Sequence, residues 1–148
     1  MHTCLNGSAV IITNANKYVY TFSGRKVEKI VEFACGHGLV GILLAYRFPN
    51  LQVYLYDLHQ RPTYMAFLES FEAHGFRRPG ESKVLPNVNT FREADLRTCP
   101  KEVLRDSVVV CIHGCGDVNQ DTIEMAINSG AGVCMYVNNV LVYVDLVY

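Results

Sequence analysis

The sequence lacks a marked charge excess, because 13 Lys and Arg residues face 14 Asp and Glu residues and leave a net charge of −1. This balance excludes a strongly basic nucleic-acid sleeve, although it is compatible with a local basic patch. Charged residues make up only 18% of the chain and apolar residues 50%, which excludes a disordered tail and predicts a packed core. The length of 148 residues suits one domain.

The sequence has no long apolar run, and its first residues do not predict a secretory leader. No apolar run approaches the ~20 residues of a membrane span. The first residues, MHTCLNGSAVIIT, have no basic segment ahead of their short apolar one. We therefore expect no membrane partner. The six cysteines are then expected to be reduced thiols inside a cell rather than a disulfide framework, which predicts a cytoplasmic or nuclear location.

What the sequence does contain is an alternation of short apolar runs with helical stretches. Strands are predicted at 29–34, 51–57, 88–95, 107–113 and 132–137. Helices are predicted at 39–48, 62–74 and 122–129, with Gly75 and Gly130 after the last two. This order is typical of an α/β, Rossmann-like fold with a mostly parallel sheet and helices on both faces.

A glycine cluster lies between the first predicted strand and the first predicted helix. Gly36, Gly38 and Gly41 form a G-x-G-x-x-G string. Glycine has no Cβ, so the atoms of a nucleotide can lie against the backbone of such a turn. Dinucleotides place a pyrophosphate on the helix N-terminus. S-adenosylmethionine (SAM) has no phosphate, and its site needs acids instead of anion-binding amides.

An acid inside the first strand distinguishes these two ligand classes. Glu32 lies four residues before Gly36, and E-F-A-C-G-H-G resembles motif I of class I SAM-dependent methyltransferases, with Ala34 in place of the first glycine. The resemblance implies SAM as the cofactor. It also implies that Glu32 holds the methionine amine and that Ala34, Gly36 and Gly38 contact the ligand. NAD-binding folds usually have an apolar residue at this position, since a buried carboxylate is costly without a cation.

The same resemblance assigns four residues that follow the second and third predicted strands. Asp57 would accept the two ribose hydroxyl protons, with Leu58 beside it. Asp95 would accept the adenine N6 amine, beside the backbone amide of Leu96. NAD-binding folds share the acid at Asp57, so this residue alone does not separate the two cofactors.

The fourth predicted strand ends in C-I-H-G-C-G-D, which looks like a branch of methyltransferase-like proteins with a His-x-Cys-Gly motif. Some members of that branch methylate tRNA ribose. The resemblance implies His113 as a cofactor contact and as the catalytic base for a hydroxyl acceptor, with tRNA or another RNA as the methyl acceptor. Asn119 and Gln120 depart from the branch, which has Thr-Asp there.

Each acid also has a structural explanation that the sequence leaves open. Glu32 could pair with Arg25 or Lys29, Asp57 could cap the next helix, and Asp95 could be an exposed turn acid. We expect no metal site. Cysteine and histidine alternate at 111, 113 and 115, so their side chains would point in parallel along a strand, whereas a tetrahedral zinc site needs convergent ligands.

The two ends of the chain carry weaker signals. Residues 1–28 have no clear period and are expected to form an N-terminal arm before one SAM-binding domain at 29–148. The last residues, NNVLVYVDLVY, predict a sixth strand with no helix after it. An unfinished sheet edge would result. We therefore expect either a domain that lacks the last strands of the full methyltransferase fold, or an oligomer or partner subunit at this edge.

The sequence thus predicts a SAM-dependent methyltransferase that acts on RNA or protein rather than on a small molecule. One alternative is a non-catalytic subunit or scaffold with the same fold. A second is an NAD-dependent oxidoreductase, which the glycine string and Asp57 also fit.

Overall fold

The computed structural model describes residues 10–13, 17–22, 25–74, 85–89, 91–112, 114–137 and 140–144. These residues form a three-stranded sheet near the N-terminus and a six-stranded sheet that carries the helices. None of the helices in these ranges has the length and apolar character needed to cross a bilayer.

The first sheet is an antiparallel meander. Strands β1 (Val10–Thr13), β2 (Lys17–Phe22) and β3 (Arg25–Val27) pair in chain order, with Ile11 opposite Val19. The sequence analysis assigned no strand here, because the stretch shows no clean alternation of apolar and polar residues. Where the domain begins stays a prediction.

The second sheet has the order β6-β5-β4-β7-β8-β9. Its strands are β4 (Lys29–Phe33), β5 (Gln52–Asp57), β6 (Arg92–Glu93), β7 (Ser107–Cys111), β8 (Gly132–Val137) and β9 (Val140–Val144). The helices are α1 (Leu39–Arg47), α2 (Pro62–Ala73), α3 (Lys101–Leu104) and α4 (Val118–Ser129). All strand pairs are parallel except β8 with β9. The predicted α/β fold is confirmed.

Alternate residues of each strand point into two separate cores, as expected for strands buried on both faces. Ile30 and Leu55 pack on one face with Ile42 of α1. Val31 packs on the other face with Ala126 of α4. The helices therefore cover both faces of the sheet, as predicted.

The third predicted strand is much shorter than expected. Instead of 88–95 it comprises Arg92–Glu93, preceded by one isolated bridge between Val53 and Val88. The polar residues around Val88 interrupt the apolar run, and Asn87 turns its side chain into the protein. The fourth helix begins at Val118 rather than at residue 122, because the polar residues of its first turn conceal its apolar period.

The other predicted elements agree with the structure to within two residues, although Gly75 lies outside the described residues. Gly130 ends α4 in the left-handed conformation, at φ 67°. The predicted sixth strand is β9, which places Val144 opposite Val133 of β8. A partner at this edge stays a prediction.

Asn87 joins the end of α1 to the start of β5. Its side chain is 3% exposed, and Nδ2 lies 3.0, 3.3 and 2.9 Å from the carbonyl oxygens of Ala45, Phe48 and Leu51. These carbonyls belong to the last turn of the helix and the chain after it, where the helix leaves acceptors unpaired. One amide group therefore fixes the connection between α1 and β5.

We expect Asn87→Ala to lower the free energy of unfolding by about 2–3 kcal/mol, because buried carbonyl groups lose their donor. Asn89→Ala is the matched control, since its amide bonds to the exposed Gln52 side chain and should cost less than about 1 kcal/mol. Urea denaturation of both variants measures the difference. Equal losses would contradict this role of Asn87.

Candidate active site

The candidate site lies at the carboxyl ends of β4, β5 and β7. The chain runs from β4 outward to β5 on one side and to β7 on the other, so the strand order reverses at β4. Ligands of open α/β sheets bind at such a switch point. Here the turn between β4 and α1 carries the glycine cluster.

The backbone of this turn is left-handed at three positions. The φ angles are 51° at Ala34, 55° at Gly36 and 70° at Gly38. A Cβ added to Gly36 would meet no atom within 4 Å, whereas one added to Gly38 would lie 2.7 Å from Cδ2 of Tyr64. A ligand can therefore approach the backbone at Gly36, while at Gly38 the close neighbour is the ring of Tyr64.

Glu32 is buried beneath this turn, with 2% of its surface exposed. Its Oε2 accepts the N–H of Gly41 at 2.7 Å. Gly41 belongs to the first turn of α1, where N–H groups have no partner within the helix. A Cβ at Gly41 would lie 2.6 Å from Oε2 and 2.1 Å from Cδ2 of Leu55. A residue without a side chain is thus required for the carboxylate to reach the helix.

Burial raises the pKa of Glu32 to about 8, although the hydrogen bond from Gly41 opposes the shift, and the nearby Asp57 carboxylate raises it further. The alternative partner Lys29 is engaged elsewhere, since its Nζ donates to the carbonyls of Glu102 and Arg105 at 2.7 and 2.8 Å. The side chain of Arg25 lies outside the described residues.

Asp57 ends β5 and contacts the glycine turn directly. Its Oδ2 accepts the N–H of Gly36 at 2.8 Å, and its Oδ1 accepts the N–H of His59 at 3.1 Å. The bond from Gly36 joins β5 to the glycine turn, and the bond from His59 closes a local turn. Neither donor belongs to α2, so Asp57 does not cap that helix. Each carboxylate oxygen can accept a further hydrogen bond. Leu58, which follows, is 60% exposed.

Asp95 follows β6 and begins a 3₁₀ turn, Leu96–Thr98. Its Oδ1 accepts the N–H of Arg97 at 2.9 Å and Nε of the same residue at 3.0 Å. These bonds hold the pKa of Asp95 below its usual range. Nε of Arg97 also lies 3.7 Å from Oδ2 of Asp121 in α4. The cation that pairs with Asp95 is therefore Arg97. The side chain of Leu96 packs into the core.

His113, the predicted catalytic residue, lies outside the described residues, and its roles stay predictions. Nearby, Asn119 donates from Nδ2 to the carbonyl of Gly114 at 2.9 Å. The sequence analysis noted Asn119 only as a departure from a motif. Among the residues that the structure describes, no group of three or more His, Cys, Asp or Glu side chains is arranged to hold a metal ion.

The chain matches no protein-family model, and no curated protein matches it by sequence. Its fold is similar to solved methyltransferase structures. One is the aminoglycoside resistance methyltransferase NpmB1, at 17% identity and a TM-score of 0.52, covering 73% of this chain and 54% of that one. Another is a mutant 16S rRNA (adenine(1408)-N(1))-methyltransferase from Catenulisporales acidiphilia, at 18% identity, a TM-score of 0.51, and 73% and 54% coverage.

The chain thus spans about half the length of these structures. The structure of the latter mutant with its cosubstrate SAM gives 17% identity and a TM-score of 0.52. At this level of identity the similarity establishes the fold alone, an α/β Rossmann-like fold that this chain shares with these structures.

The pKa of Glu32 predicts how stability depends on pH. The folded value of about 8 exceeds the ordinary value of 4.5, so the folded state holds more protons between these limits. The contribution of Glu32 to stability is therefore fully present at low pH and is lost as pH rises from about 4.5 toward 8. The Glu32→Gln variant cannot ionise at this position. Its free energy of unfolding, relative to that of the wild type, should therefore increase by roughly 3–4 kcal/mol from pH 5 to pH 8.

Urea denaturation at a series of pH values measures this difference. Glu69→Gln is the matched control, because it removes an exposed carboxyl on α2. The prediction fails if the stability difference between Glu32→Gln and the wild type is constant over the series.

The left-handed backbone at Ala34 predicts that glycine at this position would stabilise the protein. The left-handed conformation costs a residue with a Cβ about 1–2 kcal/mol, and glycine loses part of that gain through the entropy of the unfolded chain. We expect Ala34→Gly to raise the free energy of unfolding by roughly 0.5–1 kcal/mol. Ala45→Gly, in the interior of α1, should instead lose about 1 kcal/mol. Thermal or urea denaturation that shows equal losses would contradict the turn geometry.

Proposed function

We propose that this protein is a SAM-dependent methyltransferase that methylates RNA. The observation that carries the proposal is the arrangement of acids at the glycine turn. Glu32 accepts the N–H of Gly41, and Asp57 accepts the N–H of Gly36. Two backbone N–H groups, one in the first turn of α1 and one in the turn before it, are therefore hydrogen-bonded to carboxylates.

This arrangement disfavours the NAD alternative. A pyrophosphate binds to a helix N-terminus through free N–H groups and the positive end of the helix dipole. Here the N–H groups of Gly36 and Gly41 already bond to carboxylates, and a phosphate would meet like charge from Asp57, and from Glu32 when it is ionised. A sulfonium nucleoside with an ammonium group is attracted by the same charges.

The residues fit such a ligand one by one. Asp57 has free acceptor capacity for the ribose hydroxyls, beside the open backbone at Gly36. Glu32 would hold the methionine ammonium, and that cation would favour the ionised carboxylate in spite of its burial. Leu58 offers an exposed apolar side chain to the adenine ring, and Asp95 would accept from its amine.

When bound, SAM supplies an electrophilic methyl group. The residues of this chain would bind and orient it and exclude water, which is the main requirement of a direct transfer between two positioned reactants. If the acceptor is a hydroxyl group, it also needs a base, and His113 is the candidate.

RNA as the acceptor is supported by two observations. The similar structures include a 16S rRNA methyltransferase. Arg61, just before α2, and Arg92, at the start of β6, have exposed side chains near the same edge of the sheet, where they suit contact with phosphates.

Isothermal titration calorimetry with SAM, S-adenosylhomocysteine and NAD⁺ tests the cofactor. We expect both adenosyl ligands to bind and NAD⁺ not to bind. Asp57→Ala should weaken adenosyl binding by roughly 1–3 kcal/mol, because a charged acceptor is lost. Glu102→Ala, which removes an exposed acid on α3 ahead of β7, is the control and should leave affinity unchanged.

Two results would overturn the proposal. One is a folded wild-type protein that binds neither adenosyl ligand. The other is NAD⁺ binding that depends on Asp57, which would favour the oxidoreductase instead. Transfer of a labelled methyl group from SAM to deproteinised total RNA tests the acceptor, with protein and small-molecule fractions as the comparison.

A further inference from the structure

The loop after β7 borders the proposed cofactor site on the side away from Asp57. Strand β7 is the neighbour of β4 opposite β5, and its loop crosses the same carboxyl edge before α4 begins at Val118. A ligand with its ribose at Asp57 and its adenine toward Asp95 therefore extends past Glu32 toward this loop. The loop would face the amino-acid and methyl end of the ligand.

Asn119, in the first turn of α4, holds this loop by both ends of its amide. Nδ2 donates to the carbonyl of Gly114 at 2.9 Å, and Oδ1 lies 3.8 Å from Sγ of Cys111, a thiol donor at the end of β7. The N–H of Val118 closes the loop on the carbonyl of Cys115 at 3.3 Å. The side chain of Asn119 thus connects the first turn of α4 to the end of β7 and to the loop between them.

The loop backbone is fitted closely around this amide. A Cβ added to Gly114 would lie 2.3 Å from Oδ1 of Asn119, 2.6 Å from Sγ of Cys111 and 3.1 Å from Cγ1 of Val118. Contacts this short would force a shift in either the loop or the amide. Only a residue without a side chain allows the two to meet as they do.

We propose that Asn119 is a positioning residue that fixes the loop after β7 against the amino-acid end of the bound cofactor. The proposal rests on the proposed function for its ligand and on the contacts above for its mechanism. Asparagine suits this task because it donates to a carbonyl and accepts from a thiol at once. Aspartate keeps the acceptor but has no donor for Gly114, and its charge would repel that carbonyl.

Hydrogen exchange of the amides from Gly114 to Val118 tests the clamp without any ligand. Asn119→Ala and Asn119→Asp should each accelerate this exchange at least tenfold and leave β4 and β5 unchanged. Asn128→Ala, at the exposed far end of the same helix, is the matched control and should change nothing. Gly114→Ala breaks the same contact from the other side and should reproduce the Asn119 variants. Unchanged exchange in all three would overturn the clamp.

Two adenosyl probes test the ligand contact by calorimetry. S-adenosylhomocysteine has the amino-acid end, and 5′-methylthioadenosine lacks it. We expect Asn119→Asp to weaken the first at least tenfold and the second less than twofold. Equal loss of both, or no loss, would refute the contact with the amino-acid end. A wild-type protein that binds neither probe refutes the proposed function and this ligand contact with it, while the exchange result still decides the clamp.

Discussion

The structure of the site depends on one buried hydrogen bond, from the N–H of Gly41 to the carboxyl of Glu32. It joins the middle strand of the sheet to the first turn of α1 at 2.7 Å. The geometry of this bond restricts position 41 to glycine, because a Cβ there would collide with Leu55 and with the carboxyl oxygen of Glu32. The helix can approach the strand this closely only if the connecting turn is very tight. That requirement accounts for the left-handed backbone at Gly36 and Gly38.

The same bond sets the electrostatic character of the turn. A helix N-terminus above a glycine turn ordinarily favours an anion. Here Glu32 and Asp57 supply the negative groups from within the protein, at Gly41 and Gly36. Burial raises the pKa of Glu32, because the ionised form of this carboxyl is unfavourable away from water. A protein that keeps such a group gives up stability for it, as functional sites often do. A cationic ligand is the partner that would compensate it.

The sequence allowed accurate prediction where burial dictates residue type. The continuous β-branched run at Ser107–Cys111 and the apolar run at Lys29–Phe33 predicted their strands, and Gly130 predicted the end of α4. The prediction was wrong for the length of β6, because residues 87–89 pair with Val53 of β5 only as an isolated bridge, while the side chain of Asn87 bonds to the carbonyls of Ala45 and Leu51. That role depends on contacts across the fold, which no local pattern reveals.

In the candidate site, too, some features could be predicted from the sequence and others could not. The spacing of Glu32 ahead of the glycines placed a carboxyl beneath the turn, and the structure has it there, but spacing could not reveal that Gly41 is its partner. The contact between the amide of Asn119 and the carbonyl of Gly114 could not be predicted from spacing either. These are side-chain contacts with residues on other elements or in adjoining loops. They depend on the angle at which each helix meets the sheet rather than on the order of residue types.

The polar groups at the carboxyl edge of the sheet differ between the two sides of β4, and the difference suits the proposed ligand. Toward β5 and β6 the polar groups are the carboxylates of Asp57 and Asp95, which suit the hydroxyl and amine donors of a nucleoside. Toward β7 the loop is fixed by a thiol, a backbone carbonyl and the neutral amide of Asn119, contacts that add no charge, while the exposed Asp117 lies at the end of the loop. Glu32 lies between them, and its burial favours the neutral form until a cation binds. A cation bound there would favour the ionised carboxyl of Glu32 and so gain a counter-charge. Because methyl transfer disperses the positive charge of the sulfonium, loop contacts that add no charge of their own avoid holding that charge in place.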